Sequence, residues 1–307
     1  MPEYPFPAVI DSSMLADFKA CARKFYLSHI VEWKPKGLSV HLHAGASFAR
    51  GMEAARNAFY VQGVPADDAV AIGLESLLRH YGDFECPPDS PKSAERMAGA
   101  FAFYFDNYPL GSDGTEPITF ASGRRGIEFS FAQPLPIEHP TTQDPILYSG
   151  RMDAILSAYG GTFVCDEKTA SQLGATWSRQ WDLRSQFTGY CWGARENGIK
   201  VDGVIVRGVS ILKTKYDTQQ AISYRPDWQV NRWYEETLEW IKDIRLCYMT
   251  GVWRHNLDHA CTDYGGCAFR QVCQTKPEEQ LPWLDSYFER RHWDPIAGKE
   301  TLCEPPG

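Results

Sequence analysis

The sequence contains no run of about 18 apolar residues, the length that a membrane-spanning helix needs, so no transmembrane segment is predicted. The first residues, MPEYPFPAVIDSS, have no basic region followed by an apolar core and therefore predict no secretory leader. The net charge of −8 counts against a surface that coats nucleic acid broadly, although it allows a local basic groove. Internal repeats and low-complexity tracts are also absent. These absences predict a cytoplasmic globular protein with no membrane partner.

Two acidic residues and a lysine on a predicted β-hairpin are the most informative feature that is present. Residues 146–157 and 162–168 resemble strands, and Tyr159-Gly160-Gly161 between them indicates a tight turn. A two-residue Gly160-Gly161 loop places Asp153 directly opposite Lys168, with Asp166 on the same face. This arrangement is typical of a divalent metal site beside a phosphodiester. A solvated ion pair between Asp153 and Lys168 is the alternative interpretation.

The order of predicted elements favours an α/β (mixed α+β) fold, with a central mixed sheet flanked by helices. Helices are predicted at 12–30, 44–62, 67–81, 91–107, 176–196 and 226–250, and further strands at 125–132, 203–212 and 219–225. Residues 251–307, rich in Cys, Gly and Pro, are predicted to be irregular. Since no long linker interrupts the chain, we expect one domain over 1–307. It has a helical insertion at about 63–110 and a core at about 111–225.

Nine cysteines in a chain without a leader favour metal binding or buried thiols over disulfides. Cys261, Cys267 and Cys273 are evenly spaced and suggest three ligands of a zinc or iron–sulfur site. Cys21 is the candidate for the fourth ligand, and it would join the two end regions of the chain in a clasp. Three other residues remain alternatives as the fourth ligand, namely His255, His259 and Cys303. Three buried thiols without a metal are the remaining interpretation.

Several dispersed segments together resemble the PD-(D/E)XK nuclease superfamily. Asp153 in GRMDAI resembles its second motif, and Asp166-Glu167-Lys168 resembles the third. Gln186 and Tyr190 match the Q-x-x-x-Y of the following helix, where the resemblance implies contact with the DNA backbone or support of the lysine. The opening SSMLADFKACARKFYL is similar to that of the iron–sulfur members of the RecB-like branch, of the AddB and CRISPR-adaptation type.

The resemblance implies a restriction-endonuclease-like core and a 4Fe–4S cluster held by Cys21, Cys261, Cys267 and Cys273. It also implies Mg²⁺ or Mn²⁺ bound by Asp153, Asp166 and the Glu167 carbonyl. The sequence departs from the family pattern at two places. Ala49 stands where a histidine is usual, so Glu53 becomes the first candidate for a third metal ligand and Glu128 the second. The spacing C-x5-C-x5-C is also wider than the expected C-x2-C-x5-C, within an iron–sulfur segment at about 251–280.

The expected function is that of a Mg²⁺- or Mn²⁺-dependent deoxyribonuclease, an exonuclease or an enzyme that processes DNA ends. Its partners would be single-stranded DNA or duplex ends and proteins of a recombination or adaptation complex. Two alternatives are a weakened nuclease fold kept as a DNA-binding scaffold, and a zinc-stabilised interaction protein. Arg151, Arg179 and Arg184 are candidates for phosphate contact. For Trp228, Trp233 and Trp240, the helical spacing favours core packing over base stacking.

Overall fold

A computed structural model describes residues 4–37, 39–257, 259–262 and 266–297. In these residues the α-helices are α1 (Ser12–Ala20), α2 (Ala22–Phe25), α3 (Val40–Arg56), α4 (Ala66–Tyr81), α5 (Ala94–Asn107), α6 (Ala175–Arg179), α7 (Ser185–Glu196), α8 (Asp227–Thr250), α9 (Arg270–Gln274) and α10 (Pro277–Tyr287). The strands are β1 (Val9–Asp11), β2 (Trp33–Pro35), β3 (Thr115–Pro117), β4 (Ile127–Glu138), β5 (Pro145–Ala158), β6 (Gly161–Ala170), β7 (Gly203–Ile211), β8 (Tyr216–Tyr224) and β9 (Phe288–Arg290). No helix of the described chain is long and apolar enough to cross a membrane.

The described residues form two compact units. The first unit draws on the described residues within 4–37, 131–150 and 231–297, and the second on 39–130 and 151–230. Three elements, β4, β5 and α8, contribute residues to both units. The expectation of one domain over 1–307, with its subdivisions, stays a prediction.

The second unit contains a mixed sheet. In it β5 pairs antiparallel with β6, β6 pairs parallel with β7, and β7 pairs antiparallel with β8. Every residue of β7 is buried, as expected for a strand covered on both faces. Val209 and Ile211 pack into a cluster with α3, α4 and α5 on one face. Gly208 points to the other face, where it lies against Trp177 of α6. A mixed sheet between helices confirms the predicted fold class.

The first unit is assembled from segments that are far apart in the sequence. β1 pairs parallel with Leu147–Ser149 of β5, and β2 pairs antiparallel with β9. The buried side chains Leu27 and Trp33 pack against Phe269, Leu284 and Phe288 in one core cluster. This packing brings the segment around Cys21 together with the segment that follows α8.

The elements differ from the expectations at several places. The helix expected over 44–62 is α3 followed by a π-helical turn at Asn57–Val61, and the strand expected over 125–132 extends to Glu138 as β4. The helix expected over 12–30 is divided into α1, α2 and a π-helical turn at Tyr26–Ile30. The helix expected over 176–196 is interrupted between α6 and α7. The segment expected to be irregular contains α9 and the 11-residue α10, which starts at Pro277 with Glu278 and Glu279 in its first turn. That combination of proline and acidic residues is an ordinary helix start.

Candidate active site and cysteine cavity

The hairpin of β5 and β6 turns at Tyr159-Gly160, not at Gly160-Gly161. Tyr159 has φ +51° and Gly160 has φ +75°, as a two-residue hairpin turn with left-handed central residues requires. Ala158 therefore pairs with Gly161, and Ala154 with Cys165. One further step along this register places Asp153 opposite Asp166, so the expected pairing of Asp153 with Lys168 is wrong. The shift is two residues, which leaves every side chain on its predicted face.

Asp153, Asp166 and Lys168 converge on that face. Asp166 is buried, and the Lys168 Nζ lies 2.6 Å from its Oδ2. The backbone pairing of β5 with β6 extends as far as Ala154 and Cys165. Past this pair, the Glu167 N–H donates a hydrogen bond to the Asp153 Oδ2 at 2.8 Å. The Asp153 carboxylate thus satisfies a backbone donor where the strands separate, which fixes its orientation.

The electrostatics of the three groups are strongly coupled. Burial, followed by the charges of Asp166 and Glu167, raises the pKa of Asp153 well above its ordinary value. Burial also raises the pKa of Asp166, although Lys168 opposes this. Burial disfavours the charge of Lys168, but Asp166 and Asp153 outweigh it and raise the pKa of the ammonium. Two carboxylates share one cation in this pocket, so a further positive charge would be favourable there.

A hard divalent cation fits the oxygen donors of this site. Mg²⁺ commonly binds through one or two carboxylates and keeps several waters and substrate phosphate oxygens as its other ligands. Asp153 and Asp166 provide two such carboxylates. Across the described ranges, no group of three or more His, Cys, Asp or Glu side chains is arranged to hold a metal ion. A metal at this site would therefore depend on ligands other than a third side chain in its present position.

Glu167 points away from the other two acids. Its carboxylate accepts hydrogen bonds from Arg56 of α3, one of them at 3.0 Å, and from the Tyr104 hydroxyl of α5 at 3.1 Å. Burial opposes its charge, but Arg56 lowers the pKa of Glu167 to about 2. Both members of this ion pair are buried. The side chain is therefore engaged on the opposite face, and only the backbone carbonyl of Glu167 could reach a metal.

Glu128 of β4 also interacts electrostatically with Asp153, after Asp166 and Glu167 of β6. It has φ +51°, an uncommon backbone conformation for a residue other than glycine. Its Oε2 lies 2.8 Å from the Arg151 Nε. Burial raises the pKa of Glu128 to about 7; Arg151 opposes this and Glu53 adds to it.

Glu53, the first candidate for the third ligand, accepts a hydrogen bond from Arg50 at 2.9 Å on the surface of α3. Ala49 lies on the same helix and has no polar side chain to offer. Of the two acidic candidates, Glu128 is the one whose charge affects Asp153.

The helix after the hairpin carries the other predicted residues. The Gln186 Nε2 donates to the Tyr190 hydroxyl at 2.8 Å, so the two residues are one turn apart and in contact on α7. Phe187 packs beside Lys168, with 6.0 Å between the Nζ and the ring centroid. Arg184, just before α7, interacts electrostatically with both Asp166 and Lys168. Arg179 is exposed at the end of α6.

Sequence reasoning missed the buried residues behind the hairpin. Arg56 and Tyr104 hold Glu167, and Arg207 of β7 pairs with Asp113 at 2.7 Å on the same side of the sheet. The one sequence feature that could have indicated these residues is Glu167, the middle residue of Asp166-Glu167-Lys168. An acidic residue that points to the core side of a buried strand needs a cationic partner there.

The four predicted cysteine ligands line a single cavity in the first unit. Cys21, Cys261, Cys267 and Cys273 share it with three cationic residues, Arg23, Lys24 and Arg270. The Asn256 N–H donates to the Cys21 sulfur at 3.3 Å, and the Cys267 N–H donates to the Cys261 carbonyl at 3.1 Å. Burial and then the neighbouring cysteines raise the pKa of the Cys273 thiol.

The alternative fourth ligands have different positions. His255 also lines the cavity. His259 is exposed at the start of a short 3₁₀ turn, and Cys303 lies outside the described residues. The four thiols are the type of donor that an iron–sulfur cluster or zinc requires. In the part of the chain that the structure describes, however, no three Cys or His side chains are arranged to hold a metal ion.

Comparison with known proteins gives one match to a family. The sequence model of the PD-(D/E)XK nuclease superfamily matches residues 12–274. No curated protein matches the chain. Seventeen chains of solved structures match.

Two of these structures are a protein described as a putative exonuclease from Eubacterium rectale and the protein SSO0001. The first has 13% sequence identity and a TM-score of 0.49, and the match covers 89% of this chain and 92% of that one. The second has 14% identity and a TM-score of 0.26, and the match covers 74% of this chain and 84% of that one.

Proposed function

Because the chain belongs to the PD-(D/E)XK nuclease superfamily, we propose that it hydrolyses phosphodiester bonds in DNA with Mg²⁺ or Mn²⁺. Its action would be that of an exonuclease or a DNA-end-processing enzyme. The observation that carries this proposal is the convergence of Asp153, Asp166 and Lys168 on one face of the β5–β6 hairpin, with Lys168 Nζ 2.6 Å from Asp166. The mixed sheet between helices fits the restriction-endonuclease-like core of that superfamily.

Each residue of the site has a distinct task in this chemistry. Asp153 and Asp166, with the Glu167 carbonyl, would hold the divalent cation, and the Glu167 N–H keeps the Asp153 carboxylate in place. When bound, such a cation would supply charge neutralisation at the phosphate and a water of lowered pKa. Lys168 stays protonated beside Asp166 and stabilises the negative charge that develops on the phosphate. Gln186 and Tyr190, joined by their hydrogen bond, support the lysine side of the site.

Replacing the lysine tests this proposal. Lys168→Ala should lower the rate at which labelled single-stranded or duplex DNA is degraded by at least about a hundredfold, since it removes the group that stabilises the developing charge. Degradation by the unaltered protein should require Mg²⁺ or Mn²⁺ and stop with EDTA. Lys213→Ala, at an exposed lysine before β8, is the matched control and should leave the rate unchanged. Equal rates for the Lys168 and Lys213 variants would contradict the assignment.

A scaffold subunit with a weakened nuclease fold is the second candidate function, and Ala49 is the observation that favours it. This candidate predicts that the unaltered protein binds DNA but degrades neither single strands nor duplexes with either metal. Degradation that depends on Lys168 would exclude it.

We further propose that the cysteine cavity of the first unit holds a structural 4Fe–4S cluster. The four sulfur donors and the surrounding Arg23, Lys24 and Arg270 support this, since these cations would offset the negative charge of thiolate ligands. Zinc bound by the same cysteines, in an interaction protein, is the alternative.

With the sequence around Cys21, the cysteine cavity also supports membership of the RecB-like branch. A cytoplasmic location and work within a recombination or adaptation complex are part of the same proposal.

A further inference from the structure

An exposed apolar side chain lies on the loop that borders the proposed metal site. Leu183, between α6 and α7, is 77% exposed, more than any other large hydrophobic residue of the described chain. The carbonyl of its neighbour Arg184 accepts a hydrogen bond from the Phe187 N–H at 3.1 Å, and the Phe187 ring centroid lies 6.0 Å from the Lys168 Nζ. The loop therefore lies beside the site. Single exposed leucines are common on protein surfaces. This one differs because the loop around it is fixed and because an exposed aromatic residue lies close to the same loop.

The loop is held by a buried arginine. Arg225 is 1% exposed, and its Nη2 donates to the Trp181 carbonyl at 2.6 Å. Its Nε donates to the Thr188 hydroxyl of α7 at 3.0 Å. The loop is therefore anchored just before Asp182 and again after α7 begins. An anchored loop presents Leu183 to solvent at low cost in conformational entropy when a ligand binds.

The same arginine lies three residues before an exposed tryptophan. Trp228, in the first turn of α8, is 62% exposed, whereas Trp233 on the same helix is 7% exposed. The Gln229 side chain reaches the Asp182 carbonyl at 3.5 Å, so the start of α8 borders the Leu183 loop. The sequence favoured core packing for all three tryptophans. Trp233 is buried as expected, but Trp228 and Trp240, which is 36% exposed, are not, so the expectation is wrong for these two.

We propose that Leu183 and Trp228 form a platform on which the bases of an unpaired DNA strand stack as the strand enters the metal site. The proposal rests on the proposed nuclease function. Arg184 supplies positive charge for the strand's phosphates, and the platform supplies a flat apolar surface for its bases, the usual combination in single-strand binding. A blunt duplex keeps its bases paired and offers no free face to this surface.

The test measures binding apart from cleavage. Fluorescence anisotropy in EDTA would compare a labelled oligothymidine with a labelled blunt duplex, for the full chain and for Leu183→Ser and Trp228→Ala. Each variant should bind oligothymidine roughly tenfold more weakly, because Trp228→Ala loses base stacking and Leu183→Ser loses apolar contact with a base. Both should bind the duplex with unchanged affinity. Val61→Ser, at another apolar residue that is 60% exposed, is the control and should bind like the unaltered protein.

The proposal is overturned if the variants bind oligothymidine with unchanged affinity, or if they lose affinity equally for strand and duplex. It is also overturned if the Val61 control loses a similar affinity for oligothymidine, or if the unaltered protein binds no DNA. A variant that changes the oligomeric state in sedimentation, with DNA affinity unaltered, would identify a protein interface instead. If the variants lose strand affinity and the unaltered protein cleaves nothing, the platform stands and the nuclease function falls. If cleavage depends on Lys168 but strand affinity is unaltered, only the platform falls.

Discussion

At the scale of single residues, two acids are candidates for the third ligand of the proposed metal site. Ala49 removes the usual histidine, and Glu53 and Glu128 are the two acids that could replace it. Glu128 affects the charge of Asp153, has a left-handed backbone and faces Arg151. Uncommon backbone conformations of this kind persist where the surrounding structure enforces them, and often at functional sites. These contacts favour Glu128.

Exchange of each acid for its amide distinguishes the two. Glu128→Gln should raise the concentration of Mn²⁺ that gives half-maximal DNA degradation about tenfold or more, because the pocket loses a negative charge near Asp153. Glu53→Gln, whose partner is the exposed Arg50, should shift it little. A metal titration of the degradation rate provides the measurement. The opposite order of effects would return Glu53 to first place.

Sequence reasoning identified the hairpin face that carries Asp153, Asp166 and Lys168, but it missed the contacts on the face toward α3 and α5. Strand periodicity gave the common face of Asp153, Asp166 and Lys168, because a register error of two residues preserves the faces. The turn position itself was wrong because Tyr159 adopts a positive φ that glycine would adopt more readily. The role of Glu167 could not be predicted, since its partners Arg56 and Tyr104 come from helices far away in the sequence.

At the scale of elements, the close approach of α6 to β7 positions the segment that carries Leu183, Arg184 and Gln186. Gly208 pairs with Lys168 across the sheet. A Cβ atom at Gly208 would overlap the Trp177 ring and lie 2.8 Å from the Leu173 Cδ2. The absence of a side chain there lets α6 lie flat on the strand beside the metal site.

An added methyl group should disturb this packing. Gly208→Ala should lower the free energy of unfolding by about 1–3 kcal/mol, the usual cost of an overpacked interior, and should reduce DNA degradation as α6 moves. Urea denaturation and the DNA assay provide the measurements. Gly45→Ala in α3 is the matched control, because the nearest atom to its Cβ is the Thr169 Oγ1 at 4.0 Å. If both variants unfold at the same urea concentration, the contact with α6 is not tight.

The prediction of helices and strands succeeded where the apolar periodicity was strong. It failed where a helix start or end had to be recognised from its capping residues. The hairpin, β7 and α8 were found from their apolar patterns. The helix α10 was missed, since the Cys, Gly and Pro content of its surroundings outweighed Pro277 and the acids after it. The break between α6 and α7 has no proline to mark it. It depends on Arg225, a residue distant in the sequence, which donates a hydrogen bond to the Trp181 carbonyl.

At the scale of the whole molecule, the cysteine cavity joins segments that are far apart in the sequence. Cys21→Ser should remove both the cluster and much of the stability of the first unit, because a ligand and a link between distant segments are lost together. Anaerobically purified protein should be brown and contain about four iron atoms per chain. The Ser variant should be colourless and melt at a lower temperature. Cys86→Ser, far from the cavity in sequence and in the second unit, is the control and should keep its colour.

Two results would count against this assignment. Colourless protein with stoichiometric zinc would exclude the iron–sulfur cluster. Colour that survives in Cys21→Ser would assign the fourth ligand to His255, His259 or Cys303 instead.

The composition of the first unit has a consequence for synthesis on the ribosome. Its described residues lie within 4–37, 131–150 and 231–297, while the second unit contains no described residue beyond 230. Because domains form as their residues emerge, the second unit can fold while the rest is still being translated. The apolar side chains Leu27 and Trp33 have to wait for Phe269 and Phe288, exposed in the meantime to chaperones and proteases. A nascent chain would thus form the pocket of Asp153, Asp166 and Lys168 first and the cysteine cavity last.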